Sequence, residues 1–283
     1  MLTPMPRVSA HLHARLMRFC PGSWCEHGPV QAEYVDLPAS GRVFRTARRA
    51  RLGDVDATGN VRLEALGRFL QDIATDDADD ADLSDVRGVW VLRSSDLEIV
   101  SVPVYHETVE LATFCSGIGP RWAERRTRIV GDHGAFVDAA ALWVFVDRDH
   151  GRPLVLDDDF HDRYGESAGG RRVRGRLLHP APPGDASWRP WPLRTSDFDV
   201  LDHVNNARSL EAVEDELARC LPGRTLLRAR IEYRGALERG DAVSLASRSA
   251  REGDDDVLTV WLAVDGEVRV SASVTVEARR HVG

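Results

Sequence analysis

At 283 residues and 43% hydrophobic composition, the chain is long enough for one or two domains with a sizeable core. All 37 basic side chains are arginine, the formal charge is −8 and the pI is near 5.7, a balance that argues against a general nucleic-acid binder. No apolar run reaches the roughly 18–20 residues of a membrane span, and the N-terminus lacks the basic-then-apolar layout of a signal peptide, so a cytoplasmic protein is expected.

Residues 1–41 show no sustained periodicity and read as a flexible tail, with Met17 as an alternative start. Of the four cysteines (Cys20, Cys25, Cys115, Cys220), none shows paired metal spacing; Cys20, Cys25 and His27 as a zinc site is the lesser alternative to reduced, free thiols. No metal or organic cofactor is implied. From Arg42 the texture changes. RVFRTARRARLGDVD reads as a strand feeding a turn. Leu66, Phe69, Leu70 and Ile73 then mark an amphipathic helix, with Glu64 and Arg68 as an i,i+4 pair on its wet side. The acidic run DDADDADLSD at 76–85 reads as a solvated connection. Four β-rich runs follow, VWVLRSSDLEIV, TVELATFC, ERRTRIV and AAALWVFVD, with GDHG at 131–134 as the turn between the last two.

Residues 148–190 are rich in Gly, Pro, Asp and Arg and read as a connection with one short element around Phe160–Tyr164. The pattern then restarts. WPLRTSDFDV reads as strand and turn, and Ala207, Leu210, Val213 and Leu217 carry helical spacing up to Pro222-Gly223. LLRARIEY, AVSLAS, VLTVWLAV and VRVSASVTVE are strands, and Asp265-Gly266 is a two-residue hairpin turn. Arg51 aligns with Arg194, Asp54 with Asp197, Asp56 with Asp199 and Val61 with Val204, at a constant offset of 143. One unit therefore occurs twice: residues 42–150 and 187–283, joined by a linker at 151–186. Each helix buries its apolar stripe on one sheet face, and the two copies are expected to meet edge to edge.

The stretch DFDVLDHVNN at 197–206 gathers carboxylates, a histidine and two asparagines just ahead of a helix. A helix N-terminus offers N–H groups and partial positive charge to a developing oxyanion. Asp199 is placed to activate water or attack directly, His203 to position substrate or share the proton, and Asn205 or Asn206 to cap the helix or bind substrate. Capping alone also accounts for an aspartate or asparagine at such a turn. In the first copy His203 is replaced by Asn60 and Asp202 by Gly59, while Asp56 is retained. D-x-x-G-x-V at 56–61 resembles the turn of single hot-dog thioesterases acting on coenzyme A esters, which implies a rival site of Asp56 with the Gly59 amide, completed by Gln71 and Asp72 on the first helix.

With FLQDIA at 69–74, LWVFVD at 142–147 followed by RP at 152–153, and IEY at 231–233, the HVNN turn resembles the acyl-acyl carrier protein (acyl-ACP) thioesterases. The resemblance spans about Arg42 to Glu277. It implies an α+β tandem (double) hot-dog fold, each unit a long helix wrapped by an antiparallel β-sheet. It also implies hydrolysis of fatty acyl thioesters in fatty acid biosynthesis, with the chemistry in the second copy. The family aspartate falls on Asp199, the histidine on His203 and the asparagines on Asn205 and Asn206; Glu238 is the nearest match to the family carboxylate. The sequence departs from the pattern at Leu201, Ser209 and Ala236-Leu237. An acidic carrier needs a basic dock, for which RTARRAR at 45–51 and Arg171, Arg172, Arg174 and Arg176 are the candidates. An acyl-CoA thioesterase using the first-copy turn and a non-catalytic acyl-binding protein are the alternatives; pairing of two chains into a homodimer is left open.

Overall fold

The computed structural model describes residues 34–83 and 88–277. Cys20, Cys25, His27 and Met17 lie outside these residues. Ten strands form one antiparallel sheet: β1 (Phe44–Arg49), β2 (Gly88–Ser101), β3 (Thr108–Ile118), β4 (Trp122–Gly131), β5 (Phe136–Asp147), β6 (Arg189–Pro190), β7 (Leu226–Tyr233), β8 (Ser244–Glu252), β9 (Asp255–Val264) and β10 (Glu267–Glu277). Their spatial order is β1-β3-β4-β5-β2-β7-β10-β9-β8-β6. Read inward from either edge, the connectivity is the same. The halves join through β2 and β7, with Asp96 opposite Arg230 and Leu97 opposite Ala229, so the expected edge-to-edge meeting is present. The Asp96 carboxylate also accepts from Arg230 Nη1 across this seam.

Helices α1 (Leu63–Asp80) and α3 (Ser209–Cys220) pack on the apolar face of the sheet. Leu66, Phe69 and Ile73 of α1 and Leu210, Ala212 and Val213 of α3 share one core with β2, β7 and β10. Gly67 allows the close approach of the helices: a Cβ there would stand 2.8 Å from Leu210 Cδ1 and 3.3 Å from Ala207 Cβ. Helix α2 (Asp158–Ala168), in the linker, is capped by Asp157 Oδ1, which accepts the Phe160 N–H at 3.0 Å, and it ends at Gly169 with φ of +56°. Phe160 and Tyr164 build a second, smaller core with Cys115, Ala123 and Phe145.

Beyond α2 the linker straps the opposite sheet face. Arg172 bridges Ile118, Trp122 Nε1 donates to the Val173 carbonyl, and the Leu178 and His179 amides donate to Glu232. This cover explains why polar outward-facing residues such as Glu232 and Ser271 are buried.

Three local expectations are corrected. WPLRTSDFDV contributes no strand; only Arg189–Pro190 pairs, with β8, and the Pro190 and Pro192 nitrogens offer the ladder no N–H donor. Glu64 is fully buried rather than on a wet face, facing Arg68 at 2.8 Å and Arg208 at 3.5 Å. The acidic run is not a loop throughout: α1 continues to Asp80, and Asp77 is buried, accepting from Arg42 Nε at 2.7 Å, Arg125 Nη1 at 2.5 Å and the Tyr164 hydroxyl at 2.8 Å.

Candidate active site

The turn ahead of α3 is held by backbone bonds. Asp197 is buried; its Oδ2 accepts the Arg194 N–H at 2.7 Å, and its carbonyl accepts the Asn205 N–H at 2.8 Å. Phe198 bridges Val204, the Asp199 N–H donates to the His203 carbonyl at 2.9 Å, and the Asp202 N–H to the Asp199 carbonyl at 3.0 Å. Asp202 takes the left-handed conformation that closes the turn, φ +59°.

The same bonds recur ahead of α1, shifted by 143 positions. Asp54 accepts from the Arg51 and Arg62 amides, Val55 bridges Val61, the Asp56 N–H donates to the Asn60 carbonyl, and Gly59, at φ +88°, donates to the Asp56 carbonyl. The internal repeat is thus a repeat of hydrogen bonds as well as of residues.

The two turns differ in what their aspartates do. Asp56 Oδ1 accepts from the Thr58 N–H at 2.8 Å, the Thr58 hydroxyl at 2.6 Å and the Asn60 N–H at 3.1 Å. Burial would raise its pKa, but these donors outweigh it and hold it below the usual carboxylate range. The Gly59 N–H is committed to the turn. Asp199 Oδ1 accepts the Leu201 N–H at 2.9 Å, and no hydroxyl reinforces it because Leu201 stands where Thr58 does.

The helix N-termini differ as well. Position 71 aligns with 214. Glu214, on α3, reaches across to the head of α1, where its Oε1 accepts the Leu63 N–H at 2.6 Å. Burial raises its carboxyl to about 7. Gln71, on α1, lines a cavity with Asn206, Ala207 and Leu210 at the head of α3. The structure therefore groups Gln71 with Asn206 and not with the Asp56 turn, while Asp72 pairs with Arg48 at 2.7 Å.

The backbone links Asp199 to His203, and His203 in turn to Glu238. His203 is buried, and its backbone bridges Glu238; the adjacent Val204 N–H donates to the Leu237 carbonyl at 2.9 Å. Asn205 Oδ1 caps the short turn leading into α3, accepting the Ala207 N–H at 2.9 Å. Tyr233 donates to the Asn206 carbonyl at 3.1 Å. Asp202 faces Arg239 at 2.7 Å, which holds its pKa below the usual carboxylate range, and Val200 at the tip is 93% exposed. Arg171 is half-buried, bonded to Glu124 at 2.6 Å and to the Ser116 carbonyl, whereas Arg172, Arg174 and Arg176 are exposed.

Among the described residues no group of three or more His, Cys, Asp or Glu side chains is arranged to hold a metal ion. Burial raises the Cys115 thiol to about 11. No described helix is long and apolar enough to cross a membrane. Reading the residues singly missed Glu214; the gap-free alignment of Gln71 with position 214 was the available signal.

A twisted antiparallel sheet wrapping central helices, with a polar turn at each helix head, is the hot-dog-like fold of thioesterases. The acyl-ACP thioesterase N-terminal domain model matches residues 41–164 and the C-terminal domain model residues 182–277. The chain belongs to the acyl-ACP thioesterase family and is a thioester hydrolase. An uncharacterized Mycobacterium tuberculosis protein is 26% identical over 243 residues, 86% of this chain and 96% of that protein. The chloroplastic oleoyl-acyl carrier protein thioesterase of Coriandrum sativum is 25% identical over 209 residues, 68% of this chain and 54% of that protein. The crystal structure of an acyl-ACP thioesterase from Bacteroides thetaiotaomicron superposes with a TM-score of 0.69 at 19% identity, covering 83% of this chain and 98% of that one.

The Glu214 contact carries a stability expectation. Its folded pKa, about 7, lies above the ordinary 4.5. Between those values the folded state holds a proton that the unfolded state has lost, so stability falls as pH rises through that window, by about 2–3 kcal/mol. Glu214→Gln keeps an oxygen for the Leu63 N–H and removes the titration. Urea unfolding is expected to find the variant more stable than wild type at pH 8 and equal to it at pH 4.5. An unchanged difference at both pH values would show that Glu214 is not the source.

Proposed function

We propose that the chain is a tandem double hot-dog, an intramolecular pseudo-dimer, that hydrolyses fatty acyl thioesters on acyl carrier protein at the turn ahead of α3. The observation that carries this reading is the asymmetry between two otherwise superposable turns. Ahead of α1, Asp56 is tied down by Thr58 and Asn60, and the Glu214 carboxylate occupies the helix amide where an oxyanion would need a donor. Ahead of α3, the opposing residue is the uncharged Gln71, next to a cavity, and the turn carries His203.

In this reading the thioester carbonyl lies at the head of α3, polarised by its amides and by Asn206 and Gln71. Asp199 takes a proton from water as the oxygen attacks the carbonyl carbon. The tetrahedral oxyanion then collapses and breaks the carbon–sulfur bond. His203, oriented by the strand-like bridge to Glu238, shuttles a proton from Asp199 to the departing thiolate. Asn205 keeps the helix head in place. The acyl chain enters the first copy between α1 and the sheet. The carrier meets exposed arginines, Arg172, Arg174 and Arg176 of the strap or Arg45, Arg49 and Arg51 at the β1 edge, and the protein works in the cytoplasm.

Following thiol release from matched acyl-ACP and acyl-CoA tests the carrier. A kcat/KM about tenfold or more higher for acyl-ACP at low salt is expected, narrowing as salt rises. Reversing Arg172 and Arg174 to Glu is expected to raise KM for acyl-ACP several-fold. Equal rates on both carriers, insensitive to salt, would argue for the CoA ester instead.

A further inference from the structure

Of the cavities beside α1, two share a wall; a third, about 420 Å³, lies against β1 and β3, lined by Thr46, Arg48, Phe69, Ile73 and Leu111. The first of the two, about 20 Å³, is a narrow slot lined at the head of α3 by Asn206 and by Gln71, Leu70 and Leu97. The second, about 230 Å³, lies toward the end of α1, walled by Ala74, Ala78, Trp90, Cys115 and Phe160. Only two residues, Arg125 and Trp143, line both, so their side chains form the partition between them. A chain running from the reactive turn into the second cavity passes over this pair.

Both are hydrogen-bond donors, which an alkyl chain does not use. Arg125 sits on the inner face of β4, its Nη1 bonded to Asp77 at 2.5 Å and Thr113 at 3.3 Å, and its side chain stays 15% exposed. The Trp143 Nε1 is buried and has no acceptor among the described residues. A slot meant for methylene groups alone is best lined by apolar atoms, and a buried indole N–H without a partner costs free energy. Asp77, which holds Arg125, stands six residues after Gln71 on α1, about 9 Å along the axis at 1.5 Å per residue. The donors therefore lie several carbons from the thioester.

We infer that this slot selects acyl chains carrying an oxygen acceptor well along their length, received by Arg125 and the Trp143 N–H. The substrate class is an oxygenated acyl thioester: hydroxy-, oxo- or carboxy-substituted toward the middle or far end. This inference rests on the thioesterase reading and narrows it. Opening of the partition by such a chain joins the two cavities and gives the indole its missing acceptor.

The test is a chain-length-matched panel on one carrier: unsubstituted, 3-hydroxy, mid-chain hydroxy, mid-chain oxo and terminal carboxy. Wild type is expected to favour a mid-chain or terminal oxygen over the unsubstituted and 3-hydroxy chains by about tenfold or more in kcat/KM, the worth of one charge-assisted bond. Trp143→Phe, which removes only the donor and some ring volume, and Arg125→Gln are each expected to shrink that ratio. Turnover of the unsubstituted chain as fast as every oxygenated one would overturn the inference and leave the thioesterase reading intact. A preference that survives both substitutions would overturn the assignment to this pair. Thiol release from none of the panel would sink both readings.

Discussion

Asp199→Asn is expected to lower kcat by about 10²–10⁴-fold while leaving the unfolding temperature close to wild type. The amide retains an oxygen for the Leu201 N–H, so the turn keeps its bond, and what is lost is the capacity to take a proton from water. The loss should fall on kcat more than on KM, because in the proposed step the carboxylate acts on the water and not on the acyl chain. Asp56→Ala is expected to behave differently: that carboxylate gathers three donors, so its removal weakens a turn, and the effect should appear in thermal unfolding. A wild-type rate in folded Asp199→Asn would move the chemistry away from the second turn.

Asp77→Ala is expected to be among the most destabilising single changes in the chain. The carboxylate is buried and takes bonds from Arg42, Arg125 and Tyr164, which come from the start of the fold, from β4 and from α2. Removing it strands the Arg125 guanidinium on the inner sheet face. Breaking a buried pair in this way costs about 3–5 kcal/mol. For a chain of this size that corresponds to a drop in Tm of roughly 10 °C. Asp72→Ala, on the same helix, is the control: it removes a pair with Arg48 whose carboxylate is 59% exposed, worth at most about 1 kcal/mol. Equal effects of the two changes, read by calorimetry, would mean that Asp77 is not an anchor.

Asp77 also marks a boundary of what the sequence discloses. It lies in an acidic run whose composition signals solvent, and no local pattern shows that one of those carboxylates turns inward to meet arginines 35 and 48 positions away. Glu64 is hidden for the same reason: its i,i+4 partner Arg68 is legible, but the second helix that buries it is not. Strands were readable because alternation and turn chemistry agree. Asp265 and Gly266 both have positive φ, as a tight hairpin between β9 and β10 requires. The segment from Trp191 does not continue as a strand: the Trp191 N–H still bonds the Val243 carbonyl, but Pro192 has no N–H to offer the ladder beyond it. The repeat was legible from aligned aspartates and valines, and it led to both turns. The contrast between Glu214 and Gln71 was not drawn from it, because each residue acts on the opposite copy. That juxtaposition follows only when the two helices are packed side by side.

The central claim is that one of two near-identical turns, the one ahead of α3, receives the thioester. A crystal structure with a non-hydrolysable thioether or amide analogue of an acyl thioester tests it most directly. The carbonyl oxygen is expected at the head of α3, within hydrogen-bonding distance of Asn206 or the Gln71 amide, with Asp199 facing the carbonyl carbon and the chain running past Leu70 toward Trp143. A carbonyl at the Asp56 turn, with Glu214 displaced from the Leu63 amide, would contradict it.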